Sequence, residues 1–185
     1  MRVILASKSP RRRELLGEIF ENFEIITSDA DETLPGEIHP REGVEILAVR
    51  KGGGVAEDNP EALVISSDTL VELGGVPLGK PTDALDAKNM LRTLSGSIHR
   101  VHTGVAVHYK GRVVSGVDTT AVSFRELTDT EIDEYIATGE PMDKAGAYGI
   151  QGKGGAFVSG YDGRFDTVVG LSVALTKRLC EEITK

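Results

Sequence analysis

Apolar and polar positions follow two rhythms along this chain, and their alternation sets out its elements. Val3-Ile4-Leu5-Ala6 is a short, wholly apolar run, the pattern of a strand covered on both faces. A polar loop follows. Leu15, Leu16, Ile19 and Phe20 then recur at helical spacing behind Ser9, a good N-cap, and Pro10, which suits the first helical position. Phe23 to Thr27 predicts a second strand ending in an acidic loop with Asp29, Asp31 and Glu32. After Pro40 a long helix carries Val44, Leu47, Ala48 and Val55 on one face, with Lys51 in the same register. Gly52-Gly53-Gly54 weakens this helix by roughly 1 kcal/mol per glycine relative to alanine, so it is expected to end or bend there.

Ala62 to Ile65 predicts the next buried strand, with Ser66-Ser67-Asp68-Thr69 at its end, and Val71 to Pro77 predicts a hairpin turning at Gly74-Gly75. Thr82 is expected to cap a helix that turns Ala84, Ala87, Leu91 and Leu94 inward and stops near Ser95-Gly96. From Ile98 to Phe124 the period becomes two, with Val101, Thr103, Val105 and Val107 alternating toward a turn at Lys110-Gly111, which predicts an antiparallel hairpin. Thr128-Asp129-Thr130-Glu131 is a capping box opening a helix that closes at Gly139. Residues 145 to 163 hold seven glycines, which points to irregular backbone lining a site or to close packing between elements. An amphipathic helix from Leu171 to Ile183 completes an α/β pattern without internal repeats, read as one domain over residues 1 to 185.

Charge narrows the function classes. The formal charge is −8, whereas a general nucleic-acid binder would carry a basic surface. Tryptophan is absent and aromatics are few, so stacking platforms for single strands are poorly supplied. Cys180 is the single cysteine, which excludes an internal disulfide framework and fits a reducing compartment. No apolar run approaches the ~20 residues of a membrane span, and charge arrives at Lys8, too early for a signal-peptide core. The expectation is a cytosolic protein with no nucleic-acid or membrane partner.

In an acidic protein, Arg11-Arg12-Arg13 in the first turn of a helix is a local conflict, because each cation there opposes the helix dipole by roughly 0.3 to 1 kcal/mol. An anion would resolve it, with amide N–H groups, the Ser7 and Ser9 hydroxyls and the guanidinium forks suited to a phosphate chain. The run also reads as a solvated basic face with Arg11 paired to Glu14. Lys51 either snorkels to water or projects an ammonium into a cleft. Glu32, Asp68 and Lys80 likewise fall at predicted element ends. Cations of this kind neutralise a polyphosphate, while carboxylates hold Mg²⁺ or Mn²⁺ and accept a proton from water. The mixture suits phosphoryl or nucleotidyl hydrolysis better than anion storage. His99 and His102, on strand positions of opposite parity, face apart and are not read as a metal pair.

Ala6-Ser7-Lys8-Ser9-Pro10-Arg11-Arg12-Arg13-Glu14-Leu15-Leu16 resembles the opening signature of the Maf family of nucleotide pyrophosphatases. The resemblance runs on in the family's order through Asp31-Glu32, Lys51, Ser67 to Val71, Gly79-Lys80-Pro81, Ser95-Gly96 with His99 to Gly104, Asp143 to Gly152, and Val168 to Leu171. It covers essentially the whole chain. It implies an elongated mixed sheet with helices in two lobes around a central cleft, similar to inosine triphosphate pyrophosphatases. It also implies hydrolysis of a nucleoside triphosphate to monophosphate and pyrophosphate with a divalent metal cation, Mg²⁺ or Mn²⁺.

By that resemblance Asp68 is the proton acceptor for the attacking water and, with Glu32, a metal-directed carboxylate. Ser7, Arg12, Lys51 and Lys80 are the phosphate-binding positions. The Asp143 to Gly152 run looks like the branch acting on dTTP and UTP, in which Arg11, Thr69 and Gln151 are associated with base choice. An amide at Gln151 offers both donor and acceptor to the imide edge of thymine or uracil. Two alternatives stay open: a pyrophosphatase for 7-methyl-GTP or inosine-type nucleotides, and a non-hydrolytic nucleotide-binding regulator of septum formation. A homodimer also stays open. Gly52 departs from the family's usual alanine, as Asp166 and Ser172 depart from its asparagine or alanine and its proline.

Overall fold

A computed structural model describes residues 1–27, 29–34 and 38–185. Among the described residues seven strands form one mixed sheet: β1 (Val3–Leu5), β2 (Glu24–Ile25), β3 (Leu63–Leu73), β4 (Val76–Leu78), β5 (Ile98–Tyr109), β6 (Arg112–Phe124) and β7 (Val158–Asp162). The hydrogen-bonded order is β2-β1-β3-β5-β6-β7, with β4 paired to β3. The helices are α1 (Pro10–Gly17), α2 (Pro40–Asp58), α3 (Ala84–Leu94), α4 (Asp129–Ala137), α5 (Phe165–Val169) and α6 (Val173–Thr184). The expected α/β class with a mixed sheet is what the chain forms: β1 lies parallel to β2 and β3, and β4 and β7 are antiparallel to their partners.

The chain packs as two compact units, one of residues 1–69, 103–118 and 170–185, the other of residues 70–102 and 119–169. In the first, Ile4 of β1, the following Ala6, Val64 of β3 and Val55 of α2 share an apolar cluster. In the second, Leu91 and Leu94 of α3, Ile132 of α4 and Phe124 of β6 pack with Tyr148 and Phe157. Short 3-10 turns at Glu140–Asp143, Ala145–Ala147 and Lys153–Phe157 carry the glycine-rich stretch, so its irregular backbone was correctly anticipated.

Several boundaries differ from the sequence expectation. β3 does not end at Ile65 but runs on through Ser66, Ser67, Asp68 and Thr69 into the hairpin with β4. Its buried polar side chains find acceptors: Ser66 Oγ donates to the Ala48 carbonyl at 2.6 Å and Ser67 Oγ to the Gly170 carbonyl at 2.8 Å. It is β1 that stops, at the Leu5–Ile65 pair, which leaves the following β3 residues beyond the end of their parallel neighbour. α2 neither ends nor bends out of helix at Gly52-Gly53-Gly54 and continues to Asp58. At Gly52 the reason is steric, since a Cβ there would lie 2.5 Å from Ser66 Oγ and 2.7 Å from the His108 ring. The helix accepts a poor helix former in exchange for close approach to β3 and β5. β2 spans only Glu24–Ile25, α1 stops at Gly17 before Ile19 and Phe20, and the cap of α3 is Asp83 rather than Thr82. Thr82 instead donates from its amide and hydroxyl to the Asp86 carboxylate.

Candidate active site

The turn between β1 and α1 is built by two serines. Ser7 Oγ accepts the Ser9 amide at 3.3 Å, and Ser9 Oγ caps the helix by accepting the Arg12 amide at 3.4 Å. The Arg12 guanidinium is thereby brought to the polar middle of β3. Its Nε donates to the Gly170 carbonyl at 2.9 Å, Nη1 to the Ser67 carbonyl at 2.8 Å and to Ser7 Oγ at 3.5 Å, and Nη2 to Thr69 Oγ1 at 3.2 Å. Thr69 Oγ1 also shares a hydrogen with Thr103 Oγ1 at 3.0 Å. Gly170 holds its carbonyl here with φ at 130°, a region closed to residues with a side chain. Burial lowers the Arg12 pKa from its ordinary value; the Asp68 and Glu32 carboxylates oppose that, and the Arg11 charge adds to it.

α2 supplies the second cation. Lys51 Nζ lies 2.6 Å from Asp68 Oδ1 and 3.1 Å from Glu32 Oε1, so one ammonium is shared by two carboxylates. The alternative of a lysine snorkelling to water is therefore not realised: the Lys51 side chain is only 20% exposed and that of Asp68 11%, against 67% for Glu32. The seat of Gly52 against Ser66 and His108 sets the distance from α2 to β3, and with it the reach of Lys51. The Arg11–Glu14 pair does not form, and the partly buried Arg11 side chain makes no hydrogen bond or ion pair with another described residue.

Six of the expected site residues thus gather in the first unit: Ser7, Arg12, Glu32, Lys51, Asp68 and Thr69, with Arg11 one position from Arg12. Hard anionic oxygens converge on one cation, next to a guanidinium. Such a group can accept a proton, bind an anion, or hold a small divalent cation through one or two carboxylates while other oxygens complete its shell. Among the described residues there is no group of three His, Cys, Asp or Glu placed to hold a metal. Glu32 and Asp68 are the two carboxylates that meet at Lys51.

The model of the Maf-like protein family matches residues 2–183. The chain belongs to this family. It is 49% identical over 181 residues to the dTTP/UTP pyrophosphatase of Bacillus velezensis, covering 98% of this chain and 96% of the relative. It is 48% identical to the dTTP/UTP pyrophosphatase of Bacillus cytotoxicus, covering 97% and 93%, and 46% identical to that of Bacillus cereus, covering 98% and 94%. The structure of the Staphylococcus aureus Ham1 protein aligns with 70% of this chain and 73% of its own at 18% identity and a TM-score of 0.49, too loose a likeness to carry a fold by itself.

Two of the expected site residues, Lys80 and Gln151, belong to the second unit. Lys80 is exposed between β4 and α3, and the Gly79 carbonyl of its turn accepts the Gly146 amide at 3.0 Å. Gln151 is exposed in the loop before the last 3-10 turn. Neither side chain bonds another described residue. His99 and His102 serve structural roles: His99 Nε2 pairs with Tyr148 Oη at 2.8 Å and His102 Nε2 with Glu72 Oε2 at 2.6 Å. The residues not singled out in the sequence are Thr103, His108 and the Gly170 carbonyl. Thr103 and Gly170 lie inside family motifs, which was their only signal; nothing in the sequence pointed to His108. Among the described residues no helix is long and apolar enough to cross a membrane.

Proposed function

We propose that this Maf-like chain is a nucleoside triphosphate pyrophosphatase that hydrolyses dTTP and UTP to the monophosphate and pyrophosphate in the cytoplasm. The names of its relatives support the activity and the bases. The single observation that carries the chemistry is the sharing of Lys51 between Asp68 and Glu32 beside the half-buried Arg12.

Splitting out pyrophosphate builds negative charge on phosphate oxygens, and positioned cations stabilise it. Lys51, Lys80 and the remaining Nη2 N–H of Arg12 are the donors we assign to the phosphates, with the Ser7 hydroxyl beside them. When Lys51 turns to a phosphate oxygen, Asp68 is released to accept the proton of the attacking water. Glu32 and Asp68 would hold a divalent cation, Mg²⁺ or Mn²⁺, which neutralises charge on the phosphate oxygens when bound. Gln151 is assigned to the imide edge of the base, with Arg11 and Thr69 supporting that choice.

Incubation with dTTP, UTP, 7-methyl-GTP and ITP in Mg²⁺ or Mn²⁺, with pyrophosphate detected, tests the reading. Turnover of the two pyrimidine nucleotides well above the purines is expected. A purine preference would overturn the role given to Gln151, and tight binding of dTTP without pyrophosphate release would replace the enzyme by a nucleotide sensor.

A further inference from the structure

The loop that carries Gln151 is not held by its own backbone alone. One carboxylate, that of Glu140 just after α4, gathers it. Glu140 Oε1 accepts the Gly154 amide at 3.2 Å and the Tyr135 hydroxyl at 2.9 Å, and Oε2 accepts the Lys153 amide at 3.1 Å. Tyr135 Oη passes the support on, accepting the Gly149 amide at 3.2 Å. Beneath the loop, Lys144 Nζ donates to the Glu140 carbonyl at 3.0 Å.

The glycines of the loop record the same arrangement sterically. A Cβ on Gly152 would run into the Glu140 carboxylate, and one on Gly149 would lie 2.7 Å from Cε of Lys144. The two glycines that bracket Gln151 therefore let the loop settle onto a carboxylate and an aliphatic stem. Burial works against the charge of Glu140, but the amides of Lys153 and Gly154, the Tyr135 hydroxyl and the Lys144 ammonium outweigh it, and its carboxyl sits below the ordinary glutamate range.

We propose that Glu140 is a positioning residue for base selection: its carboxylate fixes residues 149–154 so that Gln151 presents its amide in one place. This rests on the assignment of Gln151 to the base. It adds that selectivity is set by an anion that never touches the nucleotide. A glutamine at position 140 keeps the size of the side chain but turns an amide N–H₂ toward an N–H donor, because one oxygen cannot serve Lys153 on one side and Tyr135 with Gly154 on the other. An aspartate keeps both oxygens but is one methylene shorter.

The test compares wild type, Glu140→Gln and Glu140→Asp. Three readouts are taken: kcat and KM for dTTP and for ITP, amide hydrogen exchange at Lys153 and Gly154, and Tm. For Glu140→Gln we expect faster exchange at both amides, and a dTTP-over-ITP ratio of kcat/KM that falls on the order of tenfold, carried mainly by KM for dTTP. Glu140→Asp should recover part of the ratio. Equal losses for both nucleotides, or an unchanged ratio with the amides deprotected, would overturn the proposal and leave Glu140 as a structural staple. If wild type itself prefers ITP, the assignment of Gln151 falls, while amide exchange still reports whether Glu140 holds the loop.

Discussion

The cluster around Lys51 and the loop around Glu140 hold charge in opposite ways. Lys51 is a cation between two carboxylates, one of them largely exposed, and every partner is an ion that a phosphate or a metal can replace. Glu140 is an anion surrounded by main-chain N–H groups and a tyrosine hydroxyl, partners that no ligand has reason to displace. Arg12 belongs with Glu140 in this respect, since its N–H groups go to carbonyls and hydroxyls of the protein. The difference separates groups that can exchange partners during a reaction from groups that keep the frame still. Ion pairs to carboxylates lend themselves to exchange because substrate or metal restores the lost charge interaction. A guanidinium pulled off the Ser67 and Gly170 carbonyls would lose two charge-assisted bonds, at about 1.5 to 3 kcal/mol each, although Gly170 keeps the Ser67 hydroxyl as a donor.

The largest break in the comparison comes from removing the exchangeable carboxylate that we propose as the proton acceptor. Asp68→Asn should lower kcat by about 10² to 10⁴ while dTTP still binds, as read by single-turnover kinetics and equilibrium binding. Equal rates would take Asp68 out of the mechanism. Arg12→Ala should act first on folding, with a loss of about 2 to 5 kcal/mol in urea unfolding, because the charge-assisted bonds to the Ser67 and Gly170 carbonyls are lost and Gly170 keeps only hydroxyl donors. If the variant stays as stable as wild type and loses only substrate binding, Arg12 belongs with Lys51 instead.

Gly52→Ala sharpens the same contrast at the seat of Lys51. The new Cβ meets Ser66 Oγ and the His108 ring, so a loss of about 1 to 3 kcal/mol is expected together with a lower kcat. Gly52→Ala with His108→Ala should recover part of both, and the double-mutant cycle measures the coupling. Additive losses would show that His108 does not set the helix position.

The smallest effect is on pH dependence in the second unit. Burial pushes the His99 imidazole down to about 4 from 6.5, and its Nδ1 has no hydrogen-bond partner among the described residues. The unfolded chain therefore binds a proton below 6.5 that the folded chain refuses until about 4, so stability falls as pH drops through that window. Over the first pH unit the loss from this group is about 1 kcal/mol. Chemical unfolding at pH 7.5 and 5.5 should show it, and His99→Leu should flatten the slope; an unchanged slope would remove His99 as its source.

Much of the fold was legible because its signals are local. The Thr128–Glu131 capping box forms as written, with Thr128 Oγ1 accepting the Glu131 amide and the Glu131 carboxylate accepting the Thr128 amide. Lys110-Gly111 adopts positive φ at both residues, as a tight hairpin requires. What misled was polarity and propensity judged without neighbours. Ser66 to Thr69 looks like a strand end because its residues are polar, yet the strand continues since each of those polar groups is met from another element. Gly52 looks like a helix breaker until the side chains pressed against it are seen.

The candidate site shows the same division. Motif order picked out Ser7, Arg12, Glu32, Lys51 and Asp68, and the fold brings them together. It could not tell that Arg12 is fastened to two carbonyls while Lys51 is held by carboxylates alone, or that His108 lies beside Gly52.

By itself, the sequence determined the class of the fold, the caps and turns, and the chemical kinds of group available, because propensity, capping and periodicity act over a few residues. Only the tertiary structure decided which charges meet and which of them are already satisfied. Those outcomes depend on ångström-scale approach between distant segments: α2 against β3 across Gly52, the Gly170 carbonyl against Arg12, and the Gly149 to Gly154 loop on Glu140. Electrostatic and hydrogen-bond energies change steeply over such distances, and spacing along the chain does not encode them.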